Sequence, residues 1–350
     1  MYTSFYHLTS KPFQLSPDPG FFFASSGHKR AMSYLNYGLS LGEGFIVITG
    51  EVGAGKTLLV RKLFETIGQD NILSTHLVST HLDADDILRT ISNGFGLPHE
   101  SLSKAVLLNN LQMFFRRSVQ QKKRVLIVVD EAQNLTPKAV EELRMLSNYQ
   151  LDNQSLLQSF LIGQPEFRNT LQSPQMVQLN QRVIASYHLG PLKEEETREY
   201  IEHRLGLSGW AHDPAFTPDA FSLIHEFTGG IPRKINSLCD RILVFGMLEE
   251  KHQIQVTDVE EVIQDLRQEV THSHDPLPAS HRTPPSDGST SDPLAQAFLS
   301  TFESRLDRLE ATQNALMLMT NTINKNVATL MRSMFSSAPS SNEIIDQHDL

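Results

Sequence analysis

The segment Gly50–Thr57, with the sequence GEVGAGKT, constrains the fold of this chain more than any other feature. It matches the pattern GxxxxGK[ST] at every defined position. It lies between a β-branched run, GFIVITG at 44–50, and an amphipathic segment at Lys56–Ile67. The glycines let backbone N–H groups point inward at phosphate oxygens, and the helix N-terminus adds its partial positive charge. The sequence therefore predicts a phosphate-binding loop between a buried strand and a helix.

Every residue of this loop, together with the residue after it, is a candidate nucleotide ligand. The set is Gly50, Glu51, Val52, Gly53, Ala54, Gly55, Lys56, Thr57 and Leu58. We expect Lys56 to reach the β- and γ-phosphates and the Thr57 hydroxyl to ligate Mg²⁺. The predicted cofactors are thus ATP and Mg²⁺. A glycine turn that only happens to precede a lysine is the alternative, which the flanking strand and helix disfavour.

A second motif follows about 75 residues later, in the apolar run Arg124–Asp130, RVLIVVD, which is typical of a strand covered on both faces. Asp130, at the end of this strand, is predicted to hold the magnesium shell together with Thr57. Glu131 comes next and can polarise a water in line with the γ-phosphate. An apolar run followed by Asp-Glu also occurs by chance, but this one lies after a phosphate loop in the same α/β segment, which disfavours a chance match. We therefore predict an ATP hydrolase.

Strands and helices alternate over the first 190 residues. We predict strands at 44–50, 72–78, 124–130 and 156–162, and helices at 56–67, 85–94 with Asp83 as N-cap, 106–120 and 137–147. This alternation is typical of an α/β fold with a parallel sheet and right-handed crossovers. After Pro191 only helices are predicted, at 194–205, 219–228, 233–249 and 257–270, and they form a small helical second domain.

The C-terminal part of the chain has a different composition. Residues 271–293 are rich in His, Pro, Ser and Asp, so we predict a flexible linker, and we expect a disordered tail at 337–350. Between them, at 294–336, a heptad seam alternates steps of four and three. Its members are Ala295, Leu299, Phe302, Leu306, Leu309, Gln313, Leu316, Thr320, Ile323, Val327, Leu330 and Met334. We favour a coiled coil that pairs with itself or with a partner. A single amphipathic helix that packs back on the body or lies on a membrane is the alternative.

Composition disfavours several classes of protein. The single cysteine, Cys239, rules out an intrachain disulfide framework and fits a reducing cytoplasm. The net charge of −10 disfavours a surface coated in positive potential for nucleic acid, although it leaves a local basic patch open. The N-terminus lacks a signal-peptide pattern, and no apolar run approaches the roughly 20 residues of a membrane span. The fourteen histidines show no ligand spacing, so no metal besides Mg²⁺ is predicted.

Three further polar residues are candidates for the site. Gln164 follows the strand predicted at 156–162, on the edge where α/β sheets bind ligands, so it can orient the water or sense the γ-phosphate. A solvent-facing loop residue is the alternative. Arg182 and Arg233 are single arginines, and each alone is more typical of a surface residue or of an ion pair between helices. Arginine fingers neutralise transition-state charge in such ATPases, which keeps a catalytic role open for both.

Seven blocks of sequence go beyond a generic phosphate loop. They are KPFQLSPDPGFFFASSGHKRAMSYLNYGL, GEVGAGKT, VLIVVDEAQNL, EELRMLSN, IGQPEF, NQRVIASYHLGPL and GGIPRKIN. In this order they resemble the ExeA or general secretion pathway protein A type of AAA+ ATPase, from about Phe5 to Val270. Related members accompany pilus biogenesis and exopolysaccharide or exosortase loci. The resemblance implies an AAA+ core at 1–190, a helical lid at 191–270, and a ring or other oligomer with nucleotide at subunit interfaces.

The resemblance also implies roles for particular residues. Gln164 takes the sensor-1 position, Arg182 becomes the arginine finger, and Arg233, in GGIPR, becomes the sensor-2 residue. The segment 17–23 would cover the adenine.

Three features depart from the family pattern. Secretion members of the ExeA type carry a transmembrane helix and a periplasmic peptidoglycan-binding domain after the ATPase, where this chain has the linker and the heptad helix. Direct cell-wall remodelling is therefore not expected. Sensor 1 is Gln rather than the Asn or Thr common in other AAA+ proteins, and Leu58 replaces a frequent second Thr.

These observations favour a cytoplasmic AAA+ ATPase that drives or regulates assembly of an envelope-associated secretion, pilus or exopolysaccharide system. We expect a homo-oligomer through the AAA+ core and a protein partner that docks on the helix at 294–336, with peripheral attachment at the inner membrane left open. A DNA-binding regulatory ATPase of the transposition type, as in TniB and IstB relatives, is the alternative, and the net negative charge of the chain disfavours it. A scaffold whose ATPase is only a slow switch is a third possibility.

Overall fold

A twisted parallel sheet carries the phosphate-binding loop in the computed structural model, which describes residues 1–67, 71–78, 82–152 and 154–272. The strands in chain order are β1 (Phe45–Gly50), β2 (Ile72–Val78), β3 (Arg124–Asp130), β4 (Gln150–Leu151), β5 (Gln154–Ser155), β6 (Gln158–Gly163), β7 (Val183–Leu189), β8 (Ala215–Phe216) and β9 (Gln253–Ile254). The main sheet has the order β2-β3-β6-β1-β7, with every neighbouring pair parallel. Because all five strands run the same way, their carboxyl ends meet at one edge.

Helices connect these strands and continue the chain beyond them. They are α1 (Tyr2–Phe5), α2 (Ser26–Leu41), α3 (Lys56–Ile67), α4 (Ala84–Gly94), α5 (Lys104–Gln120), α6 (Pro137–Leu146), α7 (Pro165–Gln172), α8 (Val177–Asn180), α9 (Glu194–Leu207), α10 (Pro218–Thr228), α11 (Pro232–Leu248) and α12 (Val256–His272). Short 3-10 turns lie at Pro19–Phe21, Ala132–Asn134 and Pro174–Met176. No helix in these described stretches combines the length and apolarity needed to cross a membrane.

The core lies on both faces of the sheet, because successive strand residues point to opposite sides. Ile46, Leu126 and Phe160 pack with α2 and α3 on one face. Val47 and Ile127 pack with α4, α5 and α6 on the other. Every residue of β1 and β6 is buried, which explains the apolar run of β1, whereas β6 begins with the polar Gln158 and Ser159 before its apolar residues. Each Val, Leu, Ile or Phe side chain in these strands contributes roughly 1.5–3 kcal/mol when fully buried.

The structure corrects the predicted elements in two places. The strand predicted at 156–162 begins at Gln158, after the antiparallel pair β4 and β5. Strand β7 was not predicted; it is an edge strand whose residues are mostly half-exposed, so it lacks a continuous apolar run. The prediction of helices alone after Pro191 is wrong, because β8 and β9 pair in parallel within that region. Two-residue strands are too short to leave a periodic signal.

Residues Met1–Ile263 form one compact unit, and a second unit begins at Gln264, within α12. The division at residue 190 into a core and a lid stays a prediction. The linker predicted at 271–293 enters the described residues only at Thr271 and His272, which belong to α12. The heptad helix predicted at 294–336 and the tail at 337–350 lie outside the described residues.

Candidate active site

The phosphate-binding loop follows β1 directly and ends where α3 begins. Two of its glycines adopt positive φ angles, +82° at Gly53 and +98° at Gly55, which L-residues with a Cβ rarely adopt. The loop also lacks space for side chains at these positions. A Cβ on Gly53 would lie 2.4 Å from the Arg233 Cβ, and one on Gly55 would lie 2.7 Å from the His28 Nε2. The glycines are therefore required both by the curl of the backbone and by its close neighbours.

The Lys56 ammonium lies inside this loop. Its Nζ donates to the backbone oxygens of Gly50 at 2.7 Å and Glu51 at 3.0 Å. The residue is buried, and burial lowers the pKa of the ammonium, while the charges of Glu131 and Asp130 oppose that shift. A desolvated cation at the first turn of a helix suits an anionic phosphate group.

Asp130 and Thr57 meet at the carboxyl edge of the sheet. The Thr57 hydroxyl donates to Asp130 Oδ2 at 3.0 Å, and the Glu131 backbone N–H donates to Asp130 Oδ1 at 3.0 Å. Asp130 is only 2% exposed, and burial raises its pKa, with the neighbouring Glu131 charge acting in the same direction. A hydroxyl and a buried carboxylate are hard oxygen donors of the kind that Mg²⁺ prefers, so this pair fits the predicted metal.

Glu131 stands immediately after β3 in a left-handed backbone conformation, with φ 54° and ψ 41°. This conformation is uncommon for a residue other than glycine and turns the chain sharply into the 3-10 turn Ala132–Asn134. The Glu131 carboxylate accepts hydrogen bonds from the side-chain amides of Gln133 and Gln164. The structure thus brings Gln164, at the end of β6, into contact with the predicted base.

Three residues near the site were missed by sequence reasoning. Gln133 contacts both Glu131 and Gln164, and the only signal for it is its position two residues after the acid pair. His76, on β2, has its Nε2 3.9 Å from Asp130 Oδ2, and burial lowers its pKa. His28 is buried beneath the loop and hydrogen-bonds Ser25, the N-cap of α2. A spacing of three between a capping serine and a histidine could have indicated its helix, but not its contact with Gly55.

The segment 17–23, predicted to cover the adenine, lies between helices α3 and α9. Arg61 on α3 donates to the Pro17 backbone oxygen at 2.5 Å. The Phe21 ring faces the guanidinium of Arg204 on α9 at 4.9 Å, and the Phe23 ring lies 5.7 Å from that of Tyr200. Phe22, between them, packs edge-on against His28. Aromatic side chains from this segment therefore connect the phosphate loop to α9.

Arg233 lies beside the phosphate loop, whereas Arg182 lies at the opposite edge of the sheet. Arg233, in the first turn of α11, donates its backbone N–H to the Gly53 oxygen at 3.2 Å, so the structure brings it to the loop. Arg182 lies just before β7, at the end of the strand where Val183 pairs with Phe45. The loop begins at the other end of this strand pair, where Leu189 pairs with Gly50. At about 3.3 Å per residue, Arg182 lies roughly 20 Å from the loop.

The Arg182 guanidinium is held at that opposite edge of the sheet. Its Nη1 donates to the buried Ser147 Oγ at 3.0 Å, at the end of α6. Within one chain, therefore, Arg182 does not join the other predicted site residues. Lys56, Thr57, Asp130, Glu131, Gln164 and Arg233 are grouped around the loop.

Comparisons with known proteins agree with this architecture. A family model described as an AAA domain matches residues 40–171. General secretion pathway protein A of Aeromonas hydrophila is 39% identical over 260 residues, which cover 74% of this chain. The match covers 47% of that relative, so the chain spans about half the length of the curated protein it matches.

Solved structures share the fold at low sequence identity. Cdc6p from Pyrobaculum aerophilum has a TM-score of 0.54 at 16% identity, covering 75% of this chain and 70% of its own. The Aeropyrum pernix ORC1 protein in complex with DNA has a TM-score of 0.52 at 18% identity, covering 77% and 72%. The ADP form of Aeropyrum pernix ORC2 has a TM-score of 0.51 at 16% identity, covering 72% and 74%. At such identities the likeness establishes the fold alone.

Proposed function

Since this chain belongs to the AAA+ family that includes general secretion pathway protein A, we propose that it binds Mg-ATP and hydrolyses it to drive or regulate assembly of an envelope-associated secretion, pilus or exopolysaccharide system. The observation that carries the hydrolase part is the group formed by Lys56, Thr57, Asp130 and Glu131 at one edge of the sheet. The relative's name supports the secretion part. The chain acts on the cytoplasmic side in this proposal, with the heptad segment predicted at 294–336 as the partner-docking element.

The loop residues bind and orient the triphosphate. The Lys56 ammonium, now satisfied by two backbone oxygens, exchanges them for phosphate oxygens, which carry full charge and bind it more strongly. Thr57 and Asp130 would hold Mg²⁺, which when bound would neutralise phosphate charge and polarise the reacting group. Asp130 would hold the cation as an ionised carboxylate, because the cation's charge would oppose the burial that raises the pKa of this group.

Glu131 is the general base. Its carboxylate lies directly after Asp130 at the carboxyl edge of the sheet, so it can take a proton from a water in line with the γ-phosphate. Gln164 contacts the same carboxylate at 3.3 Å, which supports a sensor role that links the end of β6 to the state of the base. A general base contributes roughly 10²–10⁴-fold to a rate of this kind.

Arg233 acts at the site of its own chain, whereas Arg182 acts at the site of a neighbouring chain. The Arg233 backbone N–H donates a hydrogen bond to the Gly53 oxygen, so movement of α11 is transmitted to the loop. Arg182, about 20 Å from its own loop, can reach a γ-phosphate only in a neighbouring subunit. This distance supports a homo-oligomer in which each nucleotide is completed by the next chain, with Arg182 as the finger.

Size-exclusion chromatography with light scattering on the full chain tests this assembly. The Glu131→Gln variant, which binds ATP without turnover, should shift to a larger species when Mg-ATP is added. The double variant Glu131→Gln/Lys56→Ala should not shift, because it cannot hold the phosphates. A species whose mass is the same with and without nucleotide in both variants would contradict an oligomer controlled by the site.

A DNA-binding regulatory ATPase is the second candidate, and a local charge pattern favours it. Between Glu100 and Asp130 the chain carries six cations and no acid, against a net charge of −10 for the whole sequence. Of these cations Arg116, Arg117 and Lys122 are exposed around the end of α5. Fluorescence anisotropy with labelled duplex DNA, with and without ATP, decides between the candidates. Affinity that falls steeply with salt would favour this second function, and no binding at low salt would remove it.

A further inference from the structure

The side chain of Gln133 joins the proposed base to the end of strand β6. Its Nε2 donates to the Glu131 carboxylate, and its Oε1 accepts the Gln164 backbone N–H at 2.9 Å. The carboxylate oxygen of Glu131 that accepts from Gln133 is Oε2, and it also accepts from the Gln164 side-chain amide at 3.3 Å. The three residues therefore form a closed triangle of hydrogen bonds in which Gln133 uses both ends of its amide.

A glycine beside this triangle shows that the fold leaves room for the Gln133 amide. Gly163, the last residue of β6, packs against it: a Cβ there would lie 3.1 Å from Gln133 Oε1 and 3.2 Å from Phe167 Cβ. Both contacts are tighter than ordinary van der Waals separation. A side chain at position 163 would therefore displace the amide from the position in which it reaches Glu131.

The base needs such a support because its backbone does not fix its carboxylate. Glu131 leaves β3 in the left-handed conformation and has three rotatable side-chain bonds. A general base must lie within hydrogen-bond reach of the water it deprotonates, and small displacements of catalytic groups lower the rate steeply. A donor fixed at both ends limits the directions that the carboxylate can take.

We propose that Gln133 is a positioning residue that orients the Glu131 carboxylate and couples it to Gln164. This inference rests on the proposed ATP hydrolysis and adds a residue to it. ATP binding itself does not involve Gln133, whose contacts are with Glu131 and Gln164 rather than with Lys56 or Thr57. Its loss should therefore lower kcat and leave the affinity for nucleotide unchanged.

A purely structural role makes a different prediction. If Gln133 served only to accept the Gln164 N–H, Gln133→Glu would keep that acceptor and preserve activity. If it serves to donate to Glu131, the same variant replaces a donor by a second carboxylate beside the first, which pushes the base away. Gln133→Met keeps the length of the side chain and removes both hydrogen bonds.

The test measures kcat for ATP hydrolysis and the Kd for a non-hydrolysable ATP analogue with Mg²⁺, using the full chain. The variants are Gln133→Glu, Gln133→Met and Gly163→Ala. Gln121→Ala, in the exposed turn after α5, is the matched glutamine control, and thermal unfolding checks that each variant folds. We expect a kcat roughly 10–100-fold lower for both Gln133 variants, the factor that one hydrogen bond to a charged group supplies. We expect a smaller loss for Gly163→Ala, an unchanged control, and Kd within about threefold throughout.

The possible failures are distinguishable. Wild-type kcat in Gln133→Glu, with loss only in Gln133→Met, would overturn the positioning role in favour of a structural acceptor. A Kd weakened in parallel with kcat would also overturn it. A wild-type protein that hydrolyses no ATP would refute the proposed function, and the role of Gln133 with it.

Discussion

Replacing Gly53 by alanine tests the contact between the phosphate loop and helix α11. The new Cβ would lie 2.4 Å from the Arg233 Cβ, where carbon atoms pack at about 3.5–4.0 Å, so the helix must move by roughly 1 Å. That movement separates the Arg233 N–H from the Gly53 oxygen, now 3.2 Å apart. Because a misplacement of about 1 Å in a catalytic assembly can lower a rate 10²-fold, we expect turnover to fall about 100-fold.

The backbone strain of this substitution needs its own control. Gly53 has φ +82°, which costs an L-residue roughly 1–2 kcal/mol whatever its surroundings. Gly96 has φ +69° with no atom within 4 Å of its would-be Cβ, so Gly96→Ala carries the strain without the collision. Gly96→Ala should lose about 1–2 kcal/mol of unfolding free energy, and Gly53→Ala should lose at least as much because it adds the collision. Only Gly53→Ala should lose turnover.

The assay combines thermal unfolding with steady-state ATP hydrolysis at saturating Mg-ATP. For a unit of this size, about 1 kcal/mol corresponds to a Tm shift of about 2–4 °C, so both variants give a measurable decrease. Wild-type turnover in Gly53→Ala would refute the idea that α11 must contact the loop at this point. An equal loss of turnover in Gly96→Ala would attribute the effect to general destabilisation.

Two further predictions concern Asp130 and Arg182. Burial raises the pKa of Asp130, so its ionisation destabilises the nucleotide-free fold; this effect is absent below about pH 4, grows from there up to the folded pKa, and is constant above it. Asp130→Asn should therefore raise Tm at pH 8 by a few degrees while weakening Mg-ATP binding, and a gain in Tm that is equally large at pH 4 would contradict this cause. Arg182→Ala should bind ATP normally but turn over about 10³-fold more slowly. Mixing it with Lys56→Ala, which has an intact Arg182, should restore part of the activity, and a full rate for Arg182→Ala alone would exclude the finger.

The parts of the fold with local signals could be predicted from sequence. The buried strands β1 and β3 are continuous apolar runs. Helix α3 has an apolar face and directly follows a glycine-rich loop. The bounds of these elements can therefore be predicted from residues that are neighbours in sequence. The edge strand β7 is half-exposed and carries His and Tyr among its apolar residues, so the same criterion does not find it. Its place beside β1 depends on pairing over about 140 residues of chain.

The same distinction applies to the site. Lys56, Thr57 and Asp130 belong to motifs whose chemistry is readable from spacing, and the structure brings them together. Gln133 and His28 act through contacts with residues that are distant in sequence, Gln164 and Gly55, and no periodic pattern marks such contacts. These contacts can be identified only from the three-dimensional structure.

Mg²⁺-dependent ATP hydrolysis by the full chain tests the central claim most directly, with Lys56→Ala and Glu131→Gln measured beside the wild type. We predict that the wild type hydrolyses ATP and stops when EDTA is added, and that Lys56→Ala neither binds nor hydrolyses. Glu131→Gln should bind ATP with wild-type affinity and hydrolyse it at least 100-fold more slowly, as expected for the loss of a general base. Wild-type turnover in Glu131→Gln, or wild-type ATP affinity in Lys56→Ala, would contradict the assignment of this site.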